Sequence, residues 1–305
     1  MKILVFGSLN LDYVYQVEHI VLPGETISSN HLEVYPGGKG LNQAVALARA
    51  GATVCMAGNV GVDGDFLLQV CQENGVDCSL LRTVEERTGN AIIQVASDGQ
   101  NSIVLFGGAN QKNTPEYVDD VLSYFEKGDF LLLQNEVNML DVMIEKAVAK
   151  GLKVALNPSP YDKKIHACDM NKVSLFFLNE MEGANISGHS NVELMLRHFA
   201  SLYPKASVIL TLGKDGVVFL TDGRSYKCSA YDVSVVDTTA AGDTFTGYFL
   251  HAFTQNASIE SALNRASLAA SLAVSQKGAV TSIPTAVEVD KAKEKLRTVT
   301  ILQNK

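Results

Sequence analysis

Short apolar runs rich in β-branched residues alternate along this chain with longer helical patterns, and this rhythm constrains the fold more than any other feature. The runs that predict buried strands cover residues 2–6, 53–57, 130–133, 153–156, 175–178 and 208–212. Helical patterns lie at 41–48 and at about 63–74, 138–150, 191–203, 243–255 and 258–276, and Thr114-Pro115 predicts a further helix start. Strand–helix–strand order requires right-handed crossovers. The sequence therefore predicts a parallel sheet with helices on both faces, a three-layer α/β/α sandwich.

Two regions, at about 12–36 and 88–106, break this rhythm with short alternating segments and no intervening helix. They predict antiparallel strands. If the two regions meet, they form a small β-sheet beside the main body that is usable as a lid; a pair of edge hairpins is the alternative. The chain contains no internal repeat or linker, so residues 1–305 are expected to form one domain.

Composition narrows the class of protein and of partner. Hydrophobic residues make up 47% and charged residues 19% of the chain, and no apolar run reaches the length of about 18 residues that a membrane span needs. A net charge of −8 and a pI of about 5.3 disfavour nucleic acid as the main partner. The five cysteines lack C-x-x-C spacing, which favours neither a disulfide framework nor a zinc site. We expect a cytoplasmic protein.

The strongest local signal is the segment 237–245, Asp-Thr-Thr-Ala-Ala-Gly-Asp-Thr-Phe, which leads into an apolar helix. The small residues 240–242 leave backbone N–H groups open at a helix N-terminus, where these groups and the helix dipole favour an anion. Asp243 would lie beside that anion site, where a general base for a substrate hydroxyl is useful. An ordinary helix cap is the alternative for Asp243.

A second glycine cluster, Pro-Gly-Gly-Lys-Gly at 36–40, opens the helix that contains Asn42 and Gln43. Glycines allow a ligand close to the backbone, and Lys39 and Asn42 would direct donors toward its oxygens. The segment is not a nucleotide P-loop, because Gly40 stands where Ser or Thr is required, and no G-x-G-x-x-G follows a strand. A tight turn with a surface lysine is the alternative.

Polar residues follow several of the predicted strands. Asn10 and Asp12 follow the first strand, Glu136 follows the run 130–133, Asn157 follows 153–156, and Asn-Glu-Met-Glu at 179–182 follows 175–178. Each is also common as a cap or turn residue. Because open α/β sheets bind ligands at the carboxyl ends of their strands, these side chains predict a hydroxyl-binding site there.

With these residues assembled, the chain resembles the ribokinase or PfkB carbohydrate kinase family over about residues 3–285. The resemblance depends on the two motifs at 36–44 and 237–245, in the right order and separation. Intervening segments also look like those of ribokinases: Gly-Gly-Ala-Asn at 107–110, Gln-Asn-Glu at 134–136, Asn-Pro-Ser-Pro at 157–160, 179–182 and Thr-Leu-Gly-Lys-Asp-Gly at 211–216. The resemblance implies a Rossmann-like, ribokinase-like sandwich whose β-lid also forms a homodimer interface.

The resemblance also implies roles for individual residues. The sugar would be held by Asn10, Asp12, Gly38, Lys39, Asn42 and Glu136. Asp243 would be the catalytic base, and Ala240, Ala241 and Gly242 the anion hole. ATP would contact Asn179, Thr211, Gly213, Gly216 and Ser267, while Glu182 would be associated with Mg²⁺. An activating K⁺ would be bound by the loops that carry Asp237, Thr239, Ala273, Gln276, Gly278 and Ser282.

The implied activity is ATP-dependent phosphorylation of a small free sugar on a primary hydroxyl, with D-ribose converted to ribose 5-phosphate. Alternatives are a family kinase for another acceptor, such as deoxyribose, a hexose or a nucleoside, and a sugar-binding regulator without catalysis. An intact Asp243 and anion turn argue against the regulator.

The chain departs from the usual family pattern at four positions, Leu41, Asn90, Asn135 and Thr246. The catalytic positions are unaffected. Asn90, in the predicted lid, is expected to reach the sugar and to influence which sugar fits.

Overall fold

The central sheet has its predicted parallel strands at the middle. The computed structural model describes residues 1–292 and 299–302, and in these residues the sheet has ten strands in the order β14-β13-β12-β11-β10-β9-β8-β1-β4-β5. Their bounds are Ile3–Phe6 (β1), Val54–Gly61 (β4), Asp77–Val84 (β5), Phe130–Gln134 (β8), Lys153–Asn157 (β9), Val173–Asn179 (β10), Ser207–Thr211 (β11), Val217–Thr221 (β12), Arg224–Cys228 (β13) and Val299–Leu302 (β14). All six strands predicted from apolar runs are present.

The strands from β11 to β5 are parallel, but β12, β13 and β14 extend the sheet antiparallel to it. The prediction of a parallel sheet is wrong for this edge. Residues 212–216 connect β11 to β12, and a parallel crossover needs a dozen or more residues. The next connection is the tight turn Asp222-Gly223, where both residues have positive φ.

Helices cover both faces of the sheet, which confirms the predicted α/β/α sandwich. They are Lys39–Ala50 (α1), Asp65–Glu73 (α2), Pro115–Ser123 (α3), Leu140–Ala149 (α4), Glu180–Ser187 (α5), Val192–Leu202 (α6), Ala241–Thr254 (α7), Ile259–Val274 (α8) and Ala286–Lys291 (α9). The predicted start of α3 is confirmed, since Thr114 accepts a hydrogen bond from the Tyr117 N–H and Pro115 is the first helical residue.

Alternate residues of the strands supply two hydrophobic cores. Phe130 and Leu132 of β8 pack with α1, α7 and α8, while Leu131 and Leu133 pack with α3, α4 and α6. This alternation is the two-residue period of a strand that is buried on both faces. The strands are thereby fixed in register, and their carboxyl ends lie at one edge.

The two regions predicted as a lid form one four-stranded sheet. Its strands are Asn10–Val17 (β2), His31–Gly37 (β3), Gly89–Ala96 (β6) and Asn101–Phe106 (β7), in the order β3-β2-β6-β7. Each hairpin is antiparallel as predicted, but β2 and β6 pair in parallel and join the hairpins into a mixed sheet.

Helices α1 and α7 cross at very close range. A Cβ on Gly247 of α7 would lie 2.5 Å from the Cβ of Ala46 in α1, so glycine is what allows this approach. The crossing places the N-terminal ends of both helices at the carboxyl edge of the sheet. Among residues 1–292 and 299–302, no helix is both long enough and apolar enough to cross a membrane.

Candidate active site

Two helix N-termini face the candidate site. Helix α1 begins after Gly38 and α7 begins after Ala240, residues whose side chains carry no capping oxygen. The first N–H groups of an α-helix have no partner within the helix. At α1 the first three of these groups already donate to Ser8 and Glu136. The start of α7 is therefore the end suited to binding an anion, as the sequence predicts for residues 240–242.

The turn before α7 has an uncommon backbone. Ala240 has φ 59° and ψ 7°, the left-handed conformation that a non-glycine residue adopts at a cost. The Thr244 N–H already donates to the Ala240 carbonyl, which starts the helix. A Cβ on Gly242 would meet no atom within 4 Å, so the space in front of this turn is open.

The Asp243 carboxylate is buried and is held by two amide side chains of α1. Asn42 Nδ2 donates to Asp243 Oδ2 at 3.0 Å, and Gln43 Nε2 donates to Asp243 Oδ1 at 2.8 Å. Both amides satisfy the carboxylate in its ionised form. The structure thus joins the two motifs of the sequence, which lie about 200 residues apart, in one cluster.

Lys39 lies among carboxylates. Burial lowers the pKa of its ammonium group, but the charges of Asp243, Glu136 and Glu182 more than offset this effect and hold the pKa above its usual value. Lys39 therefore carries a full positive charge at the site. Such a charge, close to an open helix N-terminus, suits a phosphoryl group.

Glu136 links the first strand to the start of α1. Its Oε2 accepts hydrogen bonds from Ser8 Oγ and from the backbone N–H of Lys39, the latter at 2.9 Å. Ser8 Oγ in turn accepts the Gly40 N–H at 3.2 Å. Burial raises the pKa of Glu136, and the charge of Lys39 and these hydrogen bonds oppose that shift.

Asn10 and Asp12 point from the same face of β2, two residues apart. Burial, and to a smaller extent the charge of Glu136, raises the pKa of Asp12 to about 7. Asn110 Nδ2 donates to Asn10 Oδ1 at 2.8 Å, and Asn110 also bonds both backbone groups of Leu9. Asn10 Oδ1 is thereby occupied, so the side chain presents its NH₂ group as a donor.

Gly38, the remaining residue predicted for the sugar, is fixed by its backbone. Its φ is 91°, and a Cβ would lie 2.9 Å from the Ser8 carbonyl oxygen and 3.0 Å from the Asn10 nitrogen. Glycine is required for both reasons. The structure therefore brings together all the residues predicted around the sugar: Asn10, Asp12, Gly38, Lys39, Asn42, Glu136 and Asp243.

A cleft with about 370 Å³ of empty space extends from this cluster across the ends of β9, β10 and β11. Predicted residues that line it are Lys39, Asn179, Glu182, Thr211, Gly242 and Asp243, together with Asn157, Ser159 and Thr246. The residues predicted for the nucleotide and for catalysis thus face the same space.

Asn179 and Glu182 have a structural role in this cleft. They form a capping box at the start of α5: Asn179 Oδ1 accepts the Glu182 N–H at 2.9 Å, and Glu182 Oε2 accepts the Asn179 N–H at 3.0 Å. Asn179 Nδ2 also donates to Glu182 Oε1 at 3.0 Å. The predicted contacts of both residues with ATP and Mg²⁺ stay predictions.

The other predicted nucleotide residues lie at the end of β11 and on α8. Thr211 Oγ1 donates to the Leu178 carbonyl at 3.2 Å, and Gly213 and Gly216 form the turn that follows with φ of 53° and 91°. Ser267 lies on α8, with its Oγ 3.9 Å from Cys228 Sγ. A Cβ at Gly216 would overlap the Cys228 carbonyl, so this turn packs directly on β13.

The two loops predicted to bind K⁺ are joined through Asp237. Its Oδ1 accepts the Thr239 N–H and hydroxyl at 2.9 and 2.6 Å, and its Oδ2 accepts the Gly278 N–H at 2.9 Å. Burial would raise the pKa of Asp237, but these hydrogen bonds outweigh it and lower the pKa. An ionised carboxylate thus lies between the loops that carry Thr239 and Gly278.

The remaining predicted K⁺ residues lie at the C-terminal end of α8 and in the segment after it. The Ala273 carbonyl accepts the Gln276 N–H at 3.0 Å, and the buried Ser282 hydroxyl donates to the Ala279 carbonyl at 2.9 Å. Among the described residues, no group of three or more His, Cys, Asp or Glu side chains could hold a metal ion. Any cation at these loops would therefore depend largely on backbone oxygens.

Three departures from the family pattern are explained locally. Leu41 is fully buried in the core under α1, and Asn135 Nδ2 ties the end of β8 to the Pro160 carbonyl at 2.7 Å. Thr246 Oγ1 donates to the Gly242 carbonyl at 2.8 Å within α7.

The expectation for Asn90 is wrong. Asn90 pairs with Leu11 in the parallel β2–β6 ladder, whereas Asp12 pairs with Ala91. Successive side chains of a strand point to opposite faces. Ala91 therefore shares the face of Asp12, and Asn90 points away from the predicted sugar site.

Sequence reasoning gave no role to Ser8, Gln43 or Asn110, although all three hold predicted site residues. Of the three, only Gln43 had a signal in the local sequence, because it is adjacent to Asn42 in the glycine-rich motif. Ser8 and Asn110 act on partners about 100 residues or more distant in sequence.

The amino-acid sequence is similar to known proteins over nearly its whole length. The model of the pfkB family carbohydrate kinases matches residues 1–286. The chain is 35% identical to the ribokinase of Staphylococcus aureus, with 95% of this chain and 98% of that protein covered. It is 31% identical to the deoxyribokinase of Salmonella typhi, with 93% and 96% covered.

A solved structure has the same fold. The ribokinase of Arabidopsis thaliana, complexed with ribose and ATP, superposes with a TM-score of 0.82 at 30% identity, covering 95% of this chain and 97% of that one. The resemblance inferred from the motifs is confirmed. The chain belongs to the pfkB family of carbohydrate kinases and is a phosphotransferase with an alcohol group as acceptor.

Proposed function

We propose that this kinase transfers the γ-phosphoryl group of ATP to the primary hydroxyl of a small free sugar, D-ribose, and forms ribose 5-phosphate. The observation that carries the proposal is the buried Asp243 carboxylate at the open N-terminus of α7, beside the Lys39 ammonium. The similarity to the ribokinase that was solved with ribose and ATP supports both substrates.

In the proposed reaction Asp243 accepts the proton of the attacking hydroxyl. A loose phosphoryl-transfer transition state needs that proton removed late, so a well-held carboxylate serves as the base. Lys39 and the N–H groups of residues 240–242 stabilise the charge on the transferred group. Asp12 and Glu136 accept hydrogen bonds from sugar hydroxyls, while Asn10 donates one.

Two cations complete the proposal. Glu182 is the acidic residue of the cleft that would hold Mg²⁺, since each of its carboxylate oxygens keeps a lone pair beyond its bond to Asn179. When bound, the ion would supply charge neutralisation at the ATP phosphates. The ionised Asp237 and the backbone oxygens of the two loops it joins suit K⁺, a hard cation that prefers oxygen ligands.

A related candidate is a kinase for deoxyribose, and the similarity to a deoxyribokinase favours it. The two acceptors differ by one hydroxyl. A site that hydrogen-bonds a hydroxyl discriminates against a substrate that lacks it, because its polar groups then stay unpaired. The half-buried carboxylates of Asp12 and Glu136 therefore favour the acceptor with more hydroxyls, ribose.

The proposal is tested with a coupled ADP-release assay in the presence of Mg²⁺, with K⁺ compared against Na⁺, across ribose, deoxyribose, fructose, tagatose and adenosine. We expect ribose to be the best acceptor, with a KM below about 1 mM. Turnover of another acceptor alone would leave the mechanism and reject ribose, and turnover of none would favour a sugar-binding regulator.

Asp243→Asn tests the assigned base directly. We expect loss of turnover with ATP affinity kept, since the amide cannot take the proton and the cleft is otherwise unchanged. ATP affinity is measured by calorimetry. Retention of more than about a tenth of the wild-type kcat would contradict the role of Asp243.

We also propose that the lid forms a homodimer interface. The outer face of the lid, defined as the side opposite Asp12, carries five apolar side chains that are 43–63% exposed: Leu32, Val34, Ile92, Val104 and Phe106. Their pairing places them side by side on one face of the sheet. An apolar face of this kind marks an association surface.

A further inference from the structure

Gln43 is a fully buried glutamine whose amide has hydrogen bonds on both ends. Its Nε2 donates to Asp243 Oδ1 at 2.8 Å and to Asn157 Oδ1 at 3.3 Å, and its Oε1 accepts from Gln134 Nε2 at 2.7 Å. The reaction proposed above gives none of these three amides a part. Together they form a line of amides, hereafter the amide relay, that ends at the carboxylate.

The direction of each amide in the relay is determined by its neighbours. Asn157 Nδ2 donates to the Phe177 carbonyl at 2.8 Å, a main-chain acceptor in β10, so Asn157 Oδ1 must face Gln43. Gln43 must then direct its NH₂ group toward Asn157 and Asp243, and its Oε1 toward the Gln134 donor. The relay thus connects the sheet to Asp243 through amides whose orientation is set by their hydrogen bonds, while Gln134 Oε1 has no hydrogen-bond partner among the described residues.

The two amides on Asp243 are not equivalent. Asn42 Oδ1 is buried and has no hydrogen-bond partner among residues 1–292 and 299–302. A buried acceptor left unpaired is costly, so Asn42 is suited to taking a hydroxyl donor from the sugar. Gln43 has a partner for its oxygen and for both N–H bonds, so it holds the carboxylate whether or not the sugar is bound.

We propose that Gln43, anchored by Asn157 and Gln134, is a positioning residue that fixes the orientation of the Asp243 carboxylate for proton removal. The proposal rests on the role proposed for Asp243. The Asn42 bond alone holds one oxygen of the carboxylate, whose torsional minimum is broad, and an oxygen turned away from the attacking hydroxyl is unproductive. Gln43 touches neither substrate in this scheme and acts through Asp243.

The test is steady-state kinetics of Gln43→Met, which keeps the length of the side chain and removes its donors and acceptor. We expect kcat to fall about 10- to 100-fold, the factor that corresponds to a hydrogen bond to a charged group. The KM for ATP should stay within about twofold, since an orientation effect acts on turnover rather than on nucleotide binding. An unchanged kcat, or a KM effect alone, would overturn the proposal.

Gln134→Met gives a second measurement, because this glutamine supports Gln43 and touches neither Asp243 nor a substrate in the scheme. We expect a smaller fall in kcat, of about threefold, because one anchor of a coupled network is lost while the bond to Asp243 remains. If Gln43→Met does not fold, an unaltered kcat in Gln134→Met rejects the relay.

Tyr117→Phe is the matched control for stability. The Tyr117 hydroxyl bonds the backbone of Gly58 and Leu80, and its ring packs in the core on the other face of the sheet from α1 and α7. We expect a lower melting temperature with an unchanged kcat, so a loss of kcat in the relay variants cannot be attributed to lost stability.

Asp243→Asn separates the hypothesis that Asp243 is the base from the hypothesis that the relay orients it. If it keeps its turnover, the proposed base is wrong, whereas an inactive Asp243→Asn beside a fully active Gln43→Met rejects the relay alone.

Discussion

Asp12 and Glu136 are two neighbouring carboxylates to which the proposed function assigns the hydroxyl donors of the sugar. Burial and the charge of Glu136 raise the pKa of Asp12 from 3.8 to about 7. An acid with a higher pKa in the folded chain binds more protons in the folded state than in the unfolded state between these two values. Its contribution to folding stability is therefore complete below about pH 4 and is lost as the pH rises to 7.

Asp12→Asn tests this at the level of one side chain. We expect the variant to be more stable than the wild type at pH 8 and about equal at pH 4, because the amide has no charge to bury. Melting temperatures at both pH values measure it. A difference that is the same at pH 4 and pH 8 would contradict the raised pKa.

The same titration should affect sugar binding. The ionised Asp12 accepts two hydroxyl donors, so we expect the KM of the wild type for the sugar to fall as the pH rises from 6 to 8. In Asp12→Asn the KM should be higher and nearly independent of pH. Asn10→Asp cannot replace Asp12→Asn in this test, because it removes a hydrogen-bond donor to the sugar, whereas Asp12→Asn removes an acceptor.

Individual residues were predictable where the sequence surrounds them with a distinctive motif. Asp243, Lys39 and Asn42 belong to such motifs, and the structure brings them together. Gln43, Ser8 and Asn110 depend on partners brought close only by the fold, so their function is invisible in local sequence. Asn90 was assigned to the wrong face, because the register between β2 and β6 decides which side a lid residue takes.

At the scale of the elements, the crossing of α1 and α7 produces the site. Gly247 lets α7 approach α1 until Asn42 and Gln43 reach Asp243, and Gly242 leaves the start of α7 open. The two glycines lie five residues apart on one helix and act differently: Gly247 permits close helix packing, and Gly242 leaves the space in front of the helix start empty.

Alanine at these glycines should separate the two purposes. We expect Gly247→Ala to destabilise the fold by about 1–3 kcal/mol, the cost of overpacking a core. Gly242→Ala should keep its stability, because its Cβ meets no atom within 4 Å. It should lose turnover, because that Cβ would enter the proposed phosphoryl site. Melting temperature and kcat of both variants are compared; equal effects on stability would contradict the assignment.

The central strands and most long helices were predictable, because apolar runs and caps define them. The antiparallel strands β12–β14 and the parallel β2–β6 pair were not. Pairing direction depends on connection length and on contacts between segments distant in sequence, neither of which an apolar pattern records. Helix α5 lacks a strong apolar face and was missed for that reason.

At the scale of the whole molecule, the lid stands beside the sandwich with an apolar outer face. If this face forms a dimer, a charge placed on it should separate the protomers. We expect Val104→Lys, at a side chain that is 63% exposed, to halve the mass measured by light scattering. Val287→Lys on α9, where the side chain is 61% exposed, is the control and should leave the mass unchanged.

A monomeric wild type at micromolar concentration would reject the lid interface outright. Loss of the dimer in both variants would attribute it to net charge rather than to the lid. The kcat of both lysine variants in saturating sugar should equal that of the wild type, since Asp243 and its partners all belong to one chain.

The contacts of Asp243 with Asn42 and Gln43 also set the order of events during biosynthesis. They join residues 201 and 200 positions apart, so the carboxylate and the amides that orient it cannot meet until most of the chain has left the ribosome. A nascent or prematurely terminated chain that already contains Asn10, Asp12 and Lys39 still lacks Asp243, the proposed base. We expect such fragments not to consume ATP, and we expect a pair of fragments divided between α1 and α7 to regain turnover only when the contacts of Asp243 with Asn42 and Gln43 form again.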